Sequence, residues 1–423
     1  MHHSIRTRAA TPPDTPSDDR DSRQRGSWHD QHNGSVPELV VLADQLFAPV
    51  PGGTGRYTGE LLRALATTAP DDWVVTSVVC RRSDVRPAMI EGVNGPRVLP
   101  MPRKALLAAW QAGVPYWPGG DAVHAPTPFA PPRKPVAGKY AKGTLAVTVH
   151  DTVPWTHPHT LTPRGANWHR SMVARAMRRA DVVVVPTQSV ADDLRRYVPG
   201  TSSVRVISHG VAQVFNAAED AQVRVDVSHL NLPDRYVLAV GTLEPRKGLD
   251  VLIEAVAQLH QNTMFAPHLL LVGQQAKAGM DPAALAAEHG LAPDVVRVFD
   301  KLSDLELAEV MRRSAVLAAP SHAEGFGLPV LEAMAAGVPV VHSDAPALVE
   351  VAGRAGVTVQ RGDVTALSDA LRDLLGDPLW SAQLAAAGRR RAAEFTWRSA
   401  AEAMWQLHVE GYEVSRQTVR ARE

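Results

Sequence analysis

The sequence has little cysteine, no net charge and no long hydrophobic run, and each absence excludes a class of protein. The one cysteine among 423 residues, Cys80, cannot form an internal disulfide, so cysteine usage gives no support for secretion. Lysine plus arginine and aspartate plus glutamate both number 44, whereas a protein held mainly by nucleic-acid phosphates should have a basic excess. No stretch approaches the roughly 20 apolar residues that span a bilayer, and the N-terminus lacks a signal-peptide core. We therefore expect a soluble cytoplasmic protein that does not bind nucleic acid.

What the sequence does contain is an ordinary globular composition. Its 45% hydrophobic and 21% charged residues are typical of a folded protein. At about 150 residues per domain, the length indicates roughly two or three domains. Residues 1–35 differ from the rest, because their prolines and charges leave too little apolar surface to offset the entropy of ordering. We predict that residues 1–35 are a disordered tail.

Beyond the tail, short β-branched runs alternate with helical patterns in two series. The first series has predicted strands at 39–43, 73–79, 122–124, 145–150, 181–185 and 204–207. The second has predicted strands at 236–240, 268–272, 295–299, 316–319 and 338–342, after a polar linker at 216–233. Continuous apolar strands joined by helices predict parallel sheets covered on both faces. The expected fold class is α/β, with two facing Rossmann-like domains and an interdomain cleft at the carboxyl ends of their strands.

The strongest motif is segment 323–334, which leads from a predicted strand into a predicted helix. Gly325 and Gly327 let the backbone approach a ligand closely. The unpaired N–H groups at the start of such a helix form an anion site. Glu324 lies in the loop and Glu332 about one turn inside the helix, so one ligand can contact both carboxylates. The alternative is a pair of loop glycines beside two solvated acids.

A second motif follows the first strand of the second series. A glycine turn at Gly241 leads to the adjacent cations Arg246 and Lys247, just before a helix. Cations at a helix N-terminus oppose the helix dipole, so their position there indicates an external anion. At ~4 Å and an effective dielectric constant of ~20, each cation–phosphate pair gains about 4 kcal/mol before desolvation. The alternative is a surface pair without a ligand, but both motifs at strand ends of one domain favour a shared anionic ligand.

Together these motifs resemble the family 4 glycosyltransferases of the GT-B fold, which are retaining enzymes that use nucleotide sugars. The E-x7-E hallmark of that family corresponds to Glu324 and Glu332, and its G-x-x-x-x-R-K-G hallmark runs from Gly241 to Gly248. Weaker matches occur at residues 52–57, 121–126, 150–151 and 209–211. The resemblance extends from about residue 38 to residue 412, and it is greatest to mannosyltransferase-like members.

The resemblance implies a role for each matched residue. Arg246 and Lys247 would hold the donor diphosphate and stabilise the leaving group. Glu324 would bind hydroxyls of the donor sugar, and His150 would reach that sugar from across the cleft. These four residues, Arg246, Lys247, Glu324 and His150, would be the catalytic residues. The implied donor-binding residues are Gly53, Gly55, Gly241, Thr242, Phe326, Gly327, Leu328 and Glu332. Among these, Glu332 would bind the ribose.

The resemblance also implies substrates and domain roles. Residues 36–220 would bind the acceptor, residues 221–395 would bind the nucleotide sugar, and residues 396–423 would form a helix that returns to the first domain. GDP-mannose is the favoured donor, with UDP- and dTDP-sugars as alternatives. The acceptor would be a hydroxyl of a glycan, a lipid-linked glycan or a small molecule.

The expected reaction requires neither a metal nor another cofactor. Glycosyl transfer breaks a bond to a phosphate oxygen, so positive charge at the departing phosphate is the largest catalytic contribution available. Arg246 and Lys247 supply that charge, and no Asp-x-Asp pair stands near the donor motifs to hold Mg²⁺. A front-face reaction, in which the leaving phosphate deprotonates the acceptor, retains configuration without a protein nucleophile.

Several alternatives remain open from the sequence. The chain could be a noncatalytic GT-B partner subunit, or an NADP-dependent oxidoreductase using the glycines near Gly53, although Thr58 stands where the dinucleotide fingerprint needs glycine. Segment 101–117 predicts an amphipathic helix that either packs on its own domain or contacts the inner face of a membrane. His157 and His159 indicate loop histidines rather than metal ligands, because a third ligand is lacking nearby.

Overall fold

The computed structural model describes residues 36–48, 52–134, 143–216, 225–262, 267–275 and 280–420. The tail predicted over residues 1–35 lies outside the described residues, as do residues 217–224 of the predicted linker.

The first domain is built on a seven-stranded parallel sheet. Its strands are β1 (Glu38–Leu42), β2 (Val74–Val79), β3 (Asn94–Val98), β4 (Ala122–Ala125), β5 (Thr144–Thr148), β6 (Val182–Val185) and β7 (Ser203–Val206). Its helices are α1 (Gly52–Thr67), α2 (Arg103–Gln111), α3 (Val153–Thr156), α4 (Pro163–Arg179) and α5 (Gln188–Tyr197). The strand order is β3-β2-β1-β4-β5-β6-β7, so the order reverses between β1 and β4. Such a switch point leaves a crevice at the carboxyl ends of the strands.

The second domain repeats this plan with six parallel strands. They are β8 (Tyr236–Val240), β9 (His268–Val272), β10 (Val296–Phe299), β11 (Val316–Ala319), β12 (Val340–Ser343) and β13 (Val357–Val359), in the order β10-β9-β8-β11-β12-β13. The helices are α6 (Leu249–Asn262), α7 (Pro282–Glu288), α8 (Asp304–Arg313), α9 (Leu328–Ala336), α10 (Pro346–Ala352), α11 (Val364–Gly376) and α12 (Pro378–Ala392). The switch point of this sheet lies between β8 and β11.

The last helix, α13 (Trp397–Arg420), packs against α1 of the first domain. Met404 is fully buried in that contact, and the indole N–H of Trp405 donates to the Leu65 carbonyl at 3.0 Å. Gly210, just after β7, meets the start of the helix so closely that a Cβ atom there would lie 2.1 Å from the Trp397 nitrogen. The chain therefore crosses back to the first domain through a tight backbone contact.

The two parallel sheets confirm the predicted fold class, and every predicted strand is present within a few residues of its expected bounds. The edge strands β3 and β13 were not predicted, because their residues are mostly solvent-accessible and lack a long apolar run. Helix α1 begins at Gly52, so it contains the whole of segment 52–57. The amphipathic helix predicted in segment 101–117 is α2, and its apolar residues Leu106 and Trp110 are fully buried in the first domain. Among the described helices, none is long and apolar enough to cross a membrane.

Candidate active site

The two strongest sequence motifs meet at the switch point of the second sheet. Arg246 and Lys247 lie in the loop between β8 and α6, and Glu324 lies in the loop between β11 and α9. Strands β8 and β11 are neighbours, so their carboxyl ends open onto the same crevice. The loops approach each other closely at Gly248, whose φ is +62° and where a Cβ atom would lie 2.3 Å from the Pro320 carbonyl oxygen.

The carboxylate of Glu324 lies between the two cations. Its Oε1 is 2.5 Å from Nζ of Lys247, and its Oε2 is 3.2 Å from Nη1 of Arg246. The Ser321 hydroxyl donates a third hydrogen bond to Oε1 at 2.9 Å, and Glu244 accepts a further hydrogen bond from Arg246. These four charged side chains are only 12–14% exposed, so their charges are balanced by one another more than by water.

This balance fixes the ionisation of the site. Burial alone would raise the pKa of Glu324, but Lys247 and Arg246, with the hydrogen bonds from Lys247 and Ser321, lower it to about 2. Burial opposes the charge on Arg246, but Glu324 and Glu244 raise its pKa above the ordinary value. Glu324 is therefore a carboxylate, and Arg246 a cation, throughout the neutral pH range.

The start of α9 offers backbone donors beside this cluster. Gly327 has φ of +99° and precedes the helix, whose second residue is Pro329. Among the described residues, none accepts a hydrogen bond from the N–H groups of Phe326, Gly327 or Leu328. Unpaired N–H groups at a helix start, together with the helix dipole, favour an anion at this point.

Glu332, inside α9, contacts the first domain. Its side chain is fully buried, and its Oε1 lies 2.5 Å from Nη1 of Arg56 in α1. Nη2 of Arg56 is 2.6 Å from Oδ1 of Asp304, so one guanidinium joins two acids of the second domain. Burial raises the pKa of Glu332, and Arg56 opposes that rise. Two buried atoms of this pair, Glu332 Oε2 and Arg56 Nε, have no hydrogen-bond partner among the described residues.

His150 lies where the two domains touch. Its Nε2 is 2.7 Å from the Pro126 carbonyl oxygen, so this nitrogen carries the proton and donates. Its ring packs edge-on against Tyr57, with centroids 4.7 Å apart. Burial lowers the pKa of His150 below its ordinary value, which favours the neutral imidazole. The His150 carbonyl also lies so near Gly325 that a Cβ atom there would be 1.8 Å away.

The other donor-binding residues expected from the sequence line the same boundary or the loop after β8. Gly53 is in the first turn of α1, and a Cβ atom there would contact the Leu328 side chain at 3.4 Å. Gly55 is buried two residues further along α1. Gly241 follows β8 beside Lys247, and the carbonyl of Thr242 accepts a hydrogen bond from the Glu244 N–H at 2.9 Å. The structure thus brings the predicted residues of both domains to one boundary.

The contacts that Arg56 and Glu350 make between the domains were not predicted. Arg56 belongs to the segment 52–57 that matched the family, but nothing in its pattern indicated Glu332 as its partner. The second contact joins α5 to α10: the carboxylate of Glu350 accepts hydrogen bonds from the N–H groups of Gln188 at 2.7 Å and Ser189 at 3.1 Å. The free N–H groups at the start of α5 were the only sequence signal for it. No cluster of histidine, cysteine or acidic side chains among the described residues is arranged to hold a metal ion.

Two parallel-sheet domains, with cations and acids at the crevice between them, define the architecture of a GT-B glycosyltransferase. Solved structures share it. A sucrose-phosphate synthase from Thermosynechococcus elongatus superposes with a TM-score of 0.67 at 21% identity, covering 89% of this chain and all of that one. HepE of Anabaena, in complex with UDP and glucose, gives a TM-score of 0.66 at 19% identity, covering 88% of this chain and 99% of that one. These likenesses establish the fold.

Sequence comparison establishes the family. A model described as Glycosyltransferase Family 4 matches residues 51–213, and one described as Glycosyl transferases group 1 matches residues 234–377. A D-inositol 3-phosphate glycosyltransferase of Streptomyces avermitilis is 34% identical over 57% of this chain and 54% of its own length. An O-antigen chain mannosyltransferase B of Escherichia coli is 35% identical over 39% of this chain and 43% of its own length. The matches span about half the length of these relatives. The chain belongs to the family 4 glycosyltransferases.

Proposed function

We propose that this chain transfers a hexose from a nucleoside diphosphate sugar to a hydroxyl of an acceptor, with retention of the anomeric configuration. The observation that carries the proposal is the placement of Glu324 between Lys247 and Arg246 at the switch point of the second sheet. GDP-mannose is the favoured donor, supported by the mannosyltransferase among the relatives. UDP- and dTDP-sugars are the alternatives, and UDP is the nucleotide bound in the HepE structure.

In this proposal the second domain binds the donor, and its diphosphate shares the two cations with Glu324. Lys247, Arg246 and the N–H groups at the start of α9 surround the position of the departing phosphate. Negative charge grows on that phosphate as the glycosidic bond breaks, so these groups stabilise the transition state more than the bound donor. Glu324, held as a carboxylate, accepts hydrogen bonds from hydroxyls of the sugar.

The first domain binds the acceptor. The acceptor hydroxyl attacks the donor sugar from the same face that the phosphate leaves. The leaving phosphate takes the proton of the attacking hydroxyl, so the protein needs no nucleophile of its own. His150 and Gly325 lie at the contact between the domains, and closure there excludes water from the reacting groups. The packing of α13 on α1 ties the end of the chain to the first domain during that motion.

The proposal is tested by the release of nucleoside diphosphate from GDP-, UDP- and dTDP-sugars. Lys247→Ala should lower the release rate by about 10²–10³-fold, the usual effect of removing one preorganised donor at a developing charge. The matched control is Lys104→Ala, because Lys104 is exposed on α2. Unchanged release by Lys247→Ala would overturn the assignment. Absence of release by the wild-type protein with every donor, despite nucleotide binding seen as a raised melting temperature, would indicate a noncatalytic partner subunit.

A further inference from the structure

A cavity of about 360 Å³ opens beside the site, between the two domains. Its first-domain wall is the segment after α3, and its second-domain wall comes from the loops after β8, β11 and β13 and from the start of α6. We name it the histidine cavity after three of its lining residues; the lining consists of His157, His159, Pro245, Arg246, Asp250, His322 and Arg361. Arg246 belongs both to this cavity and to the cation pair around Glu324. A molecule in the cavity would therefore be adjacent to the donor diphosphate.

The walls of the histidine cavity are held in place by backbone contacts. The His322 N–H donates to the Arg246 carbonyl at 2.8 Å, and Nη1 of Arg361 donates to the His322 carbonyl at 3.3 Å. Arg361 is further oriented by Asp344, whose Oδ1 is 2.8 Å from its Nε. Its Nη2 has no acceptor among the described residues, and its side chain is 41% exposed. The guanidinium thus keeps a free donor at a fixed position.

The electrostatic surroundings of His157 indicate which ligand would suit the cavity. Its Nδ1 is buried and has no hydrogen-bond partner among the described residues. Burial lowers the pKa of His157, and the neighbouring groups that lower it further are His159, His322, Arg246 and Arg361. Asp250 is the acid among the lining residues named above, and it is exposed on α6. A bound anion would lie against several donors at once.

We propose, on the basis of the proposed function, that the histidine cavity is the acceptor subsite and that it selects acceptors carrying a phosphate monoester. The three imidazoles and the guanidinium come from separate loops of the two domains, and the three free oxygens of a phosphate monoester can accept from more of these N–H donors than the two coplanar oxygens of a carboxylate. Both domains contribute to the walls, so the phosphate completes its contacts only when the cleft is closed. Its neighbouring hydroxyl then faces the donor diphosphate at Arg246.

The proposal is tested by calorimetric titration of the full-length protein with glucose 6-phosphate and with glucose. Saturating GDP is present throughout, so that the sugar phosphate does not bind at Lys247. We expect glucose 6-phosphate to bind at least about tenfold more tightly than glucose, in line with charge-assisted hydrogen bonds. Arg361→Gln and His159→Gln should each remove most of that preference. Arg354→Gln, an exposed arginine near the end of α10, is the matched control and should retain it.

Two results would overturn the acceptor proposal. One is equal affinity of the wild-type protein for the two sugars, and the other is a preference that survives both Arg361→Gln and His159→Gln. These titrations need no turnover, so they succeed or fail independently of nucleotide release from the donor. If release occurs and the preference is absent, the glycosyltransferase assignment stands and the acceptor subsite lies elsewhere.

Discussion

Replacement of Glu324 by glutamine should destabilise the protein by an amount that depends on pH. The carboxylate is 12% exposed and ion-paired with Lys247 and Arg246, and its pKa falls from 4.5 to about 2 on folding. Each pKa unit corresponds to about 1.4 kcal/mol, so the ionised group contributes about 3 kcal/mol to the free energy of unfolding at neutral pH. Glutamine has the same shape without the charge, so it loses this contribution and leaves two cations without their shared counter-ion.

The sign of the pH dependence follows from the depressed pKa in the folded state. The stabilisation is complete above the unfolded pKa of about 4.5 and is lost as the pH falls towards 2. At pH 3 the wild-type protein should have lost about 2 kcal/mol of it, whereas the glutamine variant has no group there to titrate. The difference between the two proteins should therefore shrink from about 3 kcal/mol at pH 7 to about 1 kcal/mol at pH 3.

Urea unfolding at pH 7, 5, 4 and 3, followed by tryptophan fluorescence, measures this difference directly. Glu402→Gln is the control, because Glu402 is exposed on α13 and its pairing with Arg398 is a surface contact. That variant should differ from the wild-type protein by less than about 1 kcal/mol at every pH. A Glu324→Gln difference that stays constant from pH 7 to pH 3 would refute the charge argument. It would show that the side chain stabilises the fold through packing alone.

Three further predictions concern contacts to the first domain. Arg56→Ala should lower the free energy of unfolding by about 3–5 kcal/mol, because Glu332 stays buried without its partner. In urea unfolding, the double variant with Glu332→Gln should regain part of that free energy. Glu350→Ala should lower the free energy of unfolding by about 1–2 kcal/mol because the N–H groups of Gln188 and Ser189 lose their acceptor, and small-angle scattering should show a larger radius of gyration. Gly210→Ala should lower the melting temperature strongly, because its Cβ atom would lie 2.1 Å from the Trp397 nitrogen; an unchanged melting temperature would contradict that geometry.

Most of the fold could be predicted because its signals are local. Most central strands are short apolar runs that stand out from the helical patterns around them, and the four consecutive valines of β6 are an example. The two strands that were not predicted lacked that signal: β3, for example, contains Gly95 and Pro96 and is largely exposed, so its sequence resembles a loop. Pairing with β2, a neighbour in the sheet, is what makes it a strand. That information is not in the residues of β3 themselves.

The candidate site likewise has contacts that could be predicted from the sequence and contacts that could not. Arg246, Lys247 and Glu324 could be expected to meet, because both loops follow strands of one parallel sheet and such strand ends share an edge. The partner of Glu332 could not be expected, because Arg56 is separated from it by 276 residues and belongs to the other domain. A pattern within one segment does not specify how two domains face each other. The contact of Glu350 with α5 was missed for the same reason.

The pairing of Glu332 with Arg56 also constrains how a donor can bind. If Glu332 binds the ribose, breaking its bond to Arg56 would leave a buried carboxylate unpaired, and that penalty would weaken donor affinity about tenfold for every 1.4 kcal/mol. The carboxylate has a second oxygen, Oε2, which is buried without a hydrogen-bond partner among the described residues. A ribose hydroxyl that donates a hydrogen bond to Oε2 would give this oxygen a partner and keep the ion pair with Arg56 intact. Oε2 is buried while Arg56 and Glu332 are in contact, so on this assumption the ribose would have to enter before the domains close, and donor binding would precede closure.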